Sequence, residues 1–125
     1  MKKILVVDDE TDVQTLFEQR FRKEIRSGLA TFAFAHSGEE ALQYLNSHEQ
    51  EAVLILSDIN MPGMSGLELL KEIKQHHYAP PPVVMMITAY GDEENYTSAI
   101  SLGADDFLTK PVDFNLLKEK LKIKM

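Results

Sequence analysis

The chain has 125 residues, a formal net charge of −7 and no cysteine. This length predicts one domain over residues 1–125, and the lack of cysteine excludes disulfides, thiolate metal sites and a cysteine nucleophile. The acidic balance argues against direct nucleic-acid binding, because Lys and Arg supply most of the affinity for phosphates. No apolar run approaches the roughly 18 residues of a membrane span and no signal-peptide pattern opens the chain, so we expect a cytoplasmic protein without membrane contact.

Short β-branched runs separated by stretches of helical periodicity predict five buried parallel strands. The predicted strands lie at about residues 3–7, 30–35, 53–57, 83–87 and 105–109. In the second strand Phe32 and Phe34 share one face and small residues the other, which is typical of an edge strand. Because the strands alternate with helices through short connections, they predict a three-layer, doubly wound α/β fold.

Five helices are predicted between and after these strands. The first three each begin with a capping box, in which a Ser or Thr is followed three residues later by Gln or Glu. The boxes are Thr11–Gln14, Ser37–Glu40 and Ser65–Glu68. The first helix is predicted to run unbroken to Ser27-Gly28, the fourth to open at Gly91-Asp92, and the fifth to be capped by Asp113.

Polar side chains follow four of the five predicted strands, and they are Asp8-Asp9, Asp58, Thr88 and Lys110. Ligands of an open parallel sheet bind outside the carboxyl ends of its strands, so these residues are expected to converge. Carboxylates without His or Cys favour Mg²⁺, with Mn²⁺ as a second candidate. Asp58 is a competent nucleophile towards phosphorus, Lys110 offers a positive charge to phosphoryl oxygens, and Thr88 offers a hydroxyl. The residues therefore predict a site for a divalent cation and a phosphoryl group.

Four segments carry a resemblance that covers the whole chain. They are Ile4–Glu10 (ILVVDDE), Asp58–Gly66 (DINMPGMSG), Ile87–Ala89 (ITA) and Gly103–Pro111 (GADDFLTKP). Together they resemble the receiver (REC) domain of two-component response regulators. The resemblance implies a CheY-like, flavodoxin-like arrangement, in which a parallel five-stranded sheet has the strand order 2-1-3-4-5.

The resemblance also implies a role for each site residue. Asp58 would be the phosphoacceptor, and Mg²⁺ would be bound by the side chains of Asp9 and Asp58, by the backbone carbonyl of Asn60, and through water by Asp8. Lys110 would pair with a phosphoryl oxygen.

Thr88 and Phe107 would form the switch pair of such a domain, and the Lys110-Pro111 bond would be cis. We further hypothesise that Tyr90 partly shields the phosphoryl group from water.

Phosphorelay signalling is the function that the resemblance implies. The chain would accept a phosphoryl group from a sensor histidine kinase or a phosphotransfer protein and would hydrolyse it, with no enzymatic activity on other substrates. The fourth predicted helix, the fifth strand and the fifth helix would present the output face to a downstream effector protein or domain. That face includes Tyr96, Ile100, Asp106 and a stripe of lysines at positions 118, 120, 122 and 124.

Three alternatives remain open from the sequence. A metal-dependent phosphohydrolase of the haloacid dehalogenase type also uses an Asp nucleophile, but it needs Asp-x-Asp where this chain has Asp8-Asp9-Glu10. A pseudo-receiver would be an interaction module that is never phosphorylated. The chain could also be the receiver fragment of a larger multidomain regulator or hybrid kinase.

Overall fold

The computed structural model describes residues 2–89 and 91–124, apart from the side chains of residues 2, 123 and 124. Its elements in chain order are β1 (Lys2–Val7), α1 (Asp12–Arg20), α2 (Arg22–Arg26), β2 (Ala30–Ala35), α3 (Gly38–Ser47), β3 (Leu54–Asp58), α4 (Gly66–His76), β4 (Val83–Ala89), α5 (Glu93–Ser101), β5 (Asp106–Lys110) and α6 (Phe114–Lys124). The five predicted strands are confirmed within one or two residues. Within the described residues, no helix has the length and apolar character needed to cross a membrane.

All strand pairs are parallel, and the sheet order is β2-β1-β3-β4-β5. Alternate residues of the central strands feed two hydrophobic cores, one on each face of the sheet. One core packs the sheet against α3, α4 and α5, and the other packs it against α1 and α6. The doubly wound, three-layer α/β prediction is therefore confirmed, with β2 at an edge as expected.

The first predicted helix is wrong in one respect, because it is broken at Phe21 into α1 and α2. Phe21 has φ −109° and ψ 21°, outside the helical region. Its ring is only 1% exposed and packs against Phe17, Phe32 and Phe114. Burial of a large aromatic ring is worth about 2–3 kcal/mol, so packing in this cluster overrides the helical periodicity.

The predicted capping boxes have three different outcomes. Ser65 and Glu68 form the complete reciprocal box. Ser37 accepts the Glu40 N–H as expected, but the Glu40 carboxylate accepts the N–H of His36. Thr11 makes no side-chain cap, so that prediction is wrong. The reason is that Thr11 already has helical dihedrals, whereas a capping side chain requires extended backbone.

Candidate functional site

The predicted site residues meet at the carboxyl edge of the sheet. Asp8 follows β1, while Asp58 and Lys110 end β3 and β5 and Thr88 is the penultimate residue of β4. One carboxylate oxygen from each of Asp8, Asp9 and Asp58 lies within 4.8 Å of the other two. Three hard oxygen donors at this spacing fit the ligand preference of Mg²⁺ or Mn²⁺.

Asp58 is the buried centre of this site, with 3% of its surface exposed. The Lys110 ammonium donates to its Oδ2 at 2.8 Å. The backbone N–H of Asn60 donates to its Oδ1 at 3.3 Å. The Asp58 carboxylate is thus fixed between a cation from β5 and an amide of the β3–α4 loop. The bond between Lys110 and Pro111 is cis, as expected.

Charge at the site is unbalanced towards the acids. Burial raises the pKa of Asp8, the negative charge of Asp58 raises it further, and a hydrogen bond from the Glu10 N–H at 2.9 Å opposes the increase. Burial tends to lower the pKa of Lys110, but the hydrogen bond and charge of Asp58 outweigh it, so the net shift is upward. Because carboxylates this close repel each other, a divalent cation would relieve the repulsion.

Thr88 and Phe107, the predicted switch pair, lie on the neighbouring strands β4 and β5. The Thr88 hydroxyl is buried and has no hydrogen-bond partner in the described part of the chain. Phe107 is half-buried, and its ring meets the ring of Tyr96 edge-on, with centroids 4.0 Å apart. All three residues line one cavity of about 460 Å³ between β4, β5 and α5. The cavity therefore extends from Thr88, near the carboxyl end of β4, to Tyr96 on the exposed side of α5.

The proposed output face corresponds to α5, β5 and α6. Tyr96 and Ile100 are exposed on α5. The lysine stripe does not form one free surface, because Lys118 pairs with Glu24 at 3.3 Å and Lys120 pairs with Asp106 at 3.0 Å. The side chain of residue 124 and the whole of Tyr90 lie outside the described residues, so the shielding hypothesis for Tyr90 stays a prediction.

Two residues that sequence reasoning did not single out support the site through its backbone. His36 Nδ1 lies 3.1 Å from the carbonyl oxygen of Asp8. Gly66 packs so closely on β3 that a Cβ at this position would clash with the Asp58 carbonyl oxygen. Gly66 ends the segment Asp58–Gly66 that carries the resemblance and directly follows the capping Ser65, but neither signal indicated its contact with β3. His36 carries no motif.

Comparisons with known proteins find matches over nearly the whole chain. A family model described as the response regulator receiver domain matches residues 4–122. The transcriptional regulatory protein CpxR of Klebsiella pneumoniae is 36% identical over 122 residues, which are 98% of this chain and 48% of that protein. The response regulator protein PilR of Pseudomonas aeruginosa is 40% identical over 121 residues, which are 94% of this chain and 25% of that protein.

Among solved structures, the receiver domain of NtrX from Brucella abortus superimposes with a TM-score of 0.79 at 34% identity. The match covers 96% of this chain and 95% of that domain. The chain thus spans about half of CpxR and a quarter of PilR, but nearly all of an isolated receiver domain.

Proposed function

The chain belongs to the response regulator receiver domain family of two-component phosphorelay signalling, and we propose that it accepts a phosphoryl group on Asp58. The donor would be a sensor histidine kinase or a phosphotransfer protein. One observation carries the assignment, because the buried Asp58 carboxylate lies between the Asp8–Asp9 carboxylates and the ammonium of Lys110. This arrangement gives one acceptor, a cation site on one side and a fixed positive charge on the other.

The chemistry follows from the position of each group. An oxygen of Asp58 forms a bond to phosphorus while the bond from phosphorus to the donor histidine breaks, and its electron pair stays on the histidine nitrogen. Asp8, Asp9, Asp58 and the Asn60 carbonyl would hold Mg²⁺, which neutralises charge on the phosphoryl oxygens. Lys110 would transfer its hydrogen bond from Asp58 to a phosphoryl oxygen, since its ammonium already lies 2.8 Å from the acceptor carboxylate.

Thr88 and Phe107 would convert phosphorylation into a change of surface. The Thr88 hydroxyl lacks a partner in the described structure, and a phosphoryl oxygen on Asp58 would supply one. Movement of Thr88 towards that oxygen would alter the cavity that it shares with Phe107 and Tyr96. The phosphoryl group would shift a pre-existing equilibrium, and complete reversal from 1:99 to 99:1 requires about 5.5 kcal/mol of differential stabilisation.

The wider setting is part of the same proposal. The chain would act as one domain over residues 1–125, catalyse only its own phosphorylation and dephosphorylation, and signal through α5, β5 and α6 to an effector protein or domain. A cytoplasmic location fits this role, because the phosphoryl group that a histidine kinase passes on comes from ATP.

Intact mass after incubation with acetyl phosphate and Mg²⁺ tests the proposal. Wild type and Asp12→Asn, which changes an exposed aspartate outside the cluster, should each gain one phosphoryl mass, and EDTA should abolish the gain. Asp58→Asn should gain none. A gain in Asp58→Asn would refute the acceptor assignment, and no gain in any protein, with a histidine kinase donor also failing, would favour the pseudo-receiver. Steady turnover of p-nitrophenyl phosphate would favour the phosphohydrolase instead.

A further inference from the structure

His36 joins the ends of β2 and β1 beside the acidic cluster. It follows Ala35, the last residue of β2, and its ring Nδ1 lies 3.1 Å from the carbonyl oxygen of Asp8. The N–H of Asp8 donates to the carbonyl of Ala35 at 3.0 Å. The N–H of His36 itself donates to the Glu40 carboxylate at 2.8 Å, which ties the residue to the first turn of α3. His36 is therefore held by its backbone while its ring reaches Asp8.

The direction of the ring hydrogen bond is fixed by chemistry. A backbone carbonyl oxygen only accepts, so the bond requires the proton to be on Nδ1 of His36. The carbonyl of Asp8 and the N–H of Asp9 belong to the same planar peptide group. Holding that oxygen restricts rotation of the whole peptide plane, and this rotation sets the directions in which the Asp8 and Asp9 side chains leave the backbone.

From this geometry we infer that His36 is a positioning residue for the cation site. The inference deepens the proposed function and rests on it, because it assigns a role towards the ion that Asp8 and Asp9 would bind. His36 would act on the ion indirectly, through the Asp8–Asp9 peptide that its ring contacts. Partners that orient metal ligands in this way typically change metal affinity by about 10- to 100-fold when they are removed.

Two amide substitutions separate this role from simple packing. In His36→Asn the side-chain nitrogen is the same number of bonds from Cβ as Nδ1, so it can still donate to the Asp8 carbonyl. In His36→Gln the nitrogen is one bond further out, at the level of Nε2. Both variants are neutral amides of similar polarity, which makes them a matched pair, and His36→Ala removes the donor entirely.

The first measurement is Mg²⁺ affinity by calorimetry at neutral pH, together with urea unfolding in EDTA. His36→Gln and His36→Ala should bind Mg²⁺ about 10-fold more weakly than wild type, whereas His36→Asn should remain within about 3-fold. The second is a proton–nitrogen correlation spectrum in EDTA, where the Asp9 amide should shift in His36→Gln and remain near its wild-type position in His36→Asn.

Three results would overturn the inference about His36. The first is equal Mg²⁺ affinity in all variants, and the second is a loss of Mg²⁺ affinity that follows the unfolding midpoints and includes His36→Asn. The third is a wild type that binds no Mg²⁺. If the wild type binds Mg²⁺ but gains no phosphoryl mass from acetyl phosphate or from a histidine kinase donor, the proposed function fails. The ratios of Mg²⁺ affinity between the variants then still test the role of His36. If it gains the mass while all variants bind equally, the proposed function stands and the role of His36 is refuted.

Discussion

Replacement of Gly66 by Ala should displace the end of β3, which carries the proposed phosphoacceptor Asp58. Gly66 is the first residue of α4, and its N–H donates to the carbonyl of Ile59 at 2.8 Å. An added Cβ would lie 2.8 Å from Cα of Ile59 and 2.9 Å from the carbonyl carbon of Asp58. The same Cβ would approach the Asp58 carbonyl oxygen more closely still. Ordinary contact begins at 3.4 Å, so relief needs at least about 0.6 Å of movement. The colliding atoms are backbone atoms, and no rotamer change can relieve them.

The expected magnitudes follow from that displacement. Overpacking of this kind costs about 1–3 kcal/mol, and the backbone contact favours the upper end. Alanine has a higher helix propensity than glycine, and this difference offsets at most about 1 kcal/mol of the overpacking cost. Gly66→Ala should therefore destabilise the protein by about 2 kcal/mol. Because functional groups tolerate only about 0.5 Å of error, movement of Asp58 should slow phosphoryl uptake about 10-fold or more.

Gly38 provides the matched control, since it is buried, begins α3, and follows a capping serine just as Gly66 does. A Cβ at position 38 would meet the Sδ and Cγ atoms of Met64 at 2.6 and 2.9 Å. The end of a methionine side chain can move away, so Gly38→Ala should lose less than about 1 kcal/mol. Urea unfolding and the rate of mass gain with acetyl phosphate provide the comparison, and equal unfolding midpoints for the two variants would refute the reasoning.

Three further predictions concern the charges and the aromatic pair. In EDTA, the raised pKa of Asp8 means that this carboxyl group binds a proton more tightly in the folded protein than in the unfolded chain. Protonation of Asp8 should therefore stabilise the folded protein as the pH falls through the folded-state pKa, and this stabilisation should be lost at higher pH. Asp8→Asn should flatten that part of the pH profile of the urea midpoint; an unchanged slope would exclude burial of Asp8 as its origin. Lys110→Met should slow phosphoryl uptake about 100-fold, as removal of one preorganised donor does in other enzymes. The same variant should bind Mg²⁺ more tightly, because it lacks the ammonium that is bonded to Asp58. Weaker Mg²⁺ binding in calorimetry would contradict this second expectation. Tyr96→Ala should remove an edge-on ring contact worth about 0.5–1.5 kcal/mol and so release the ring of Phe107. Carbon-13 aromatic NMR would detect this release as faster exchange of the Phe107 ring. An unchanged Phe107 signal would show that Tyr96 does not restrain the ring.

The sequence was sufficient to predict which side chains meet. Asp58, Thr88 and Lys110 each follow a short, largely apolar run, and parallel strands bring such ends to one edge whatever their separation in the chain. Periodicity and a topological rule therefore predicted most of the site. Their failure at Phe21 has a physical cause, because the aromatic cluster that buries its ring includes Phe32 and Phe114, which are distant in sequence.

His36 and Gly66 mark a different limit of sequence reasoning. Each supports a site residue through a backbone atom, the carbonyl of Asp8 for one and the Asp58–Ile59 chain for the other. Such roles depend on close approach in three dimensions, and neither hydrophobic period nor charge pattern encodes it. A motif can include a residue such as Gly66, but only the three-dimensional structure shows that the residue supports the backbone beneath the site.

The electrostatics of the site explain why its parts depend on one another. One ammonium, from Lys110, bonds to Asp58 and also acts on Asp8 through its charge, but it faces the three carboxylates of the cluster. Burial and the charge of Asp58 both disfavour the charged form of Asp8. The cluster therefore destabilises the folded protein when no divalent ion is bound, and binding of such an ion would remove this destabilisation. Binding of that ion would also lower the repulsion that an incoming phosphoryl group meets. The same three carboxylates that weaken the ion-free protein are therefore the source of its affinity for the cation, and through the cation for the phosphoryl group.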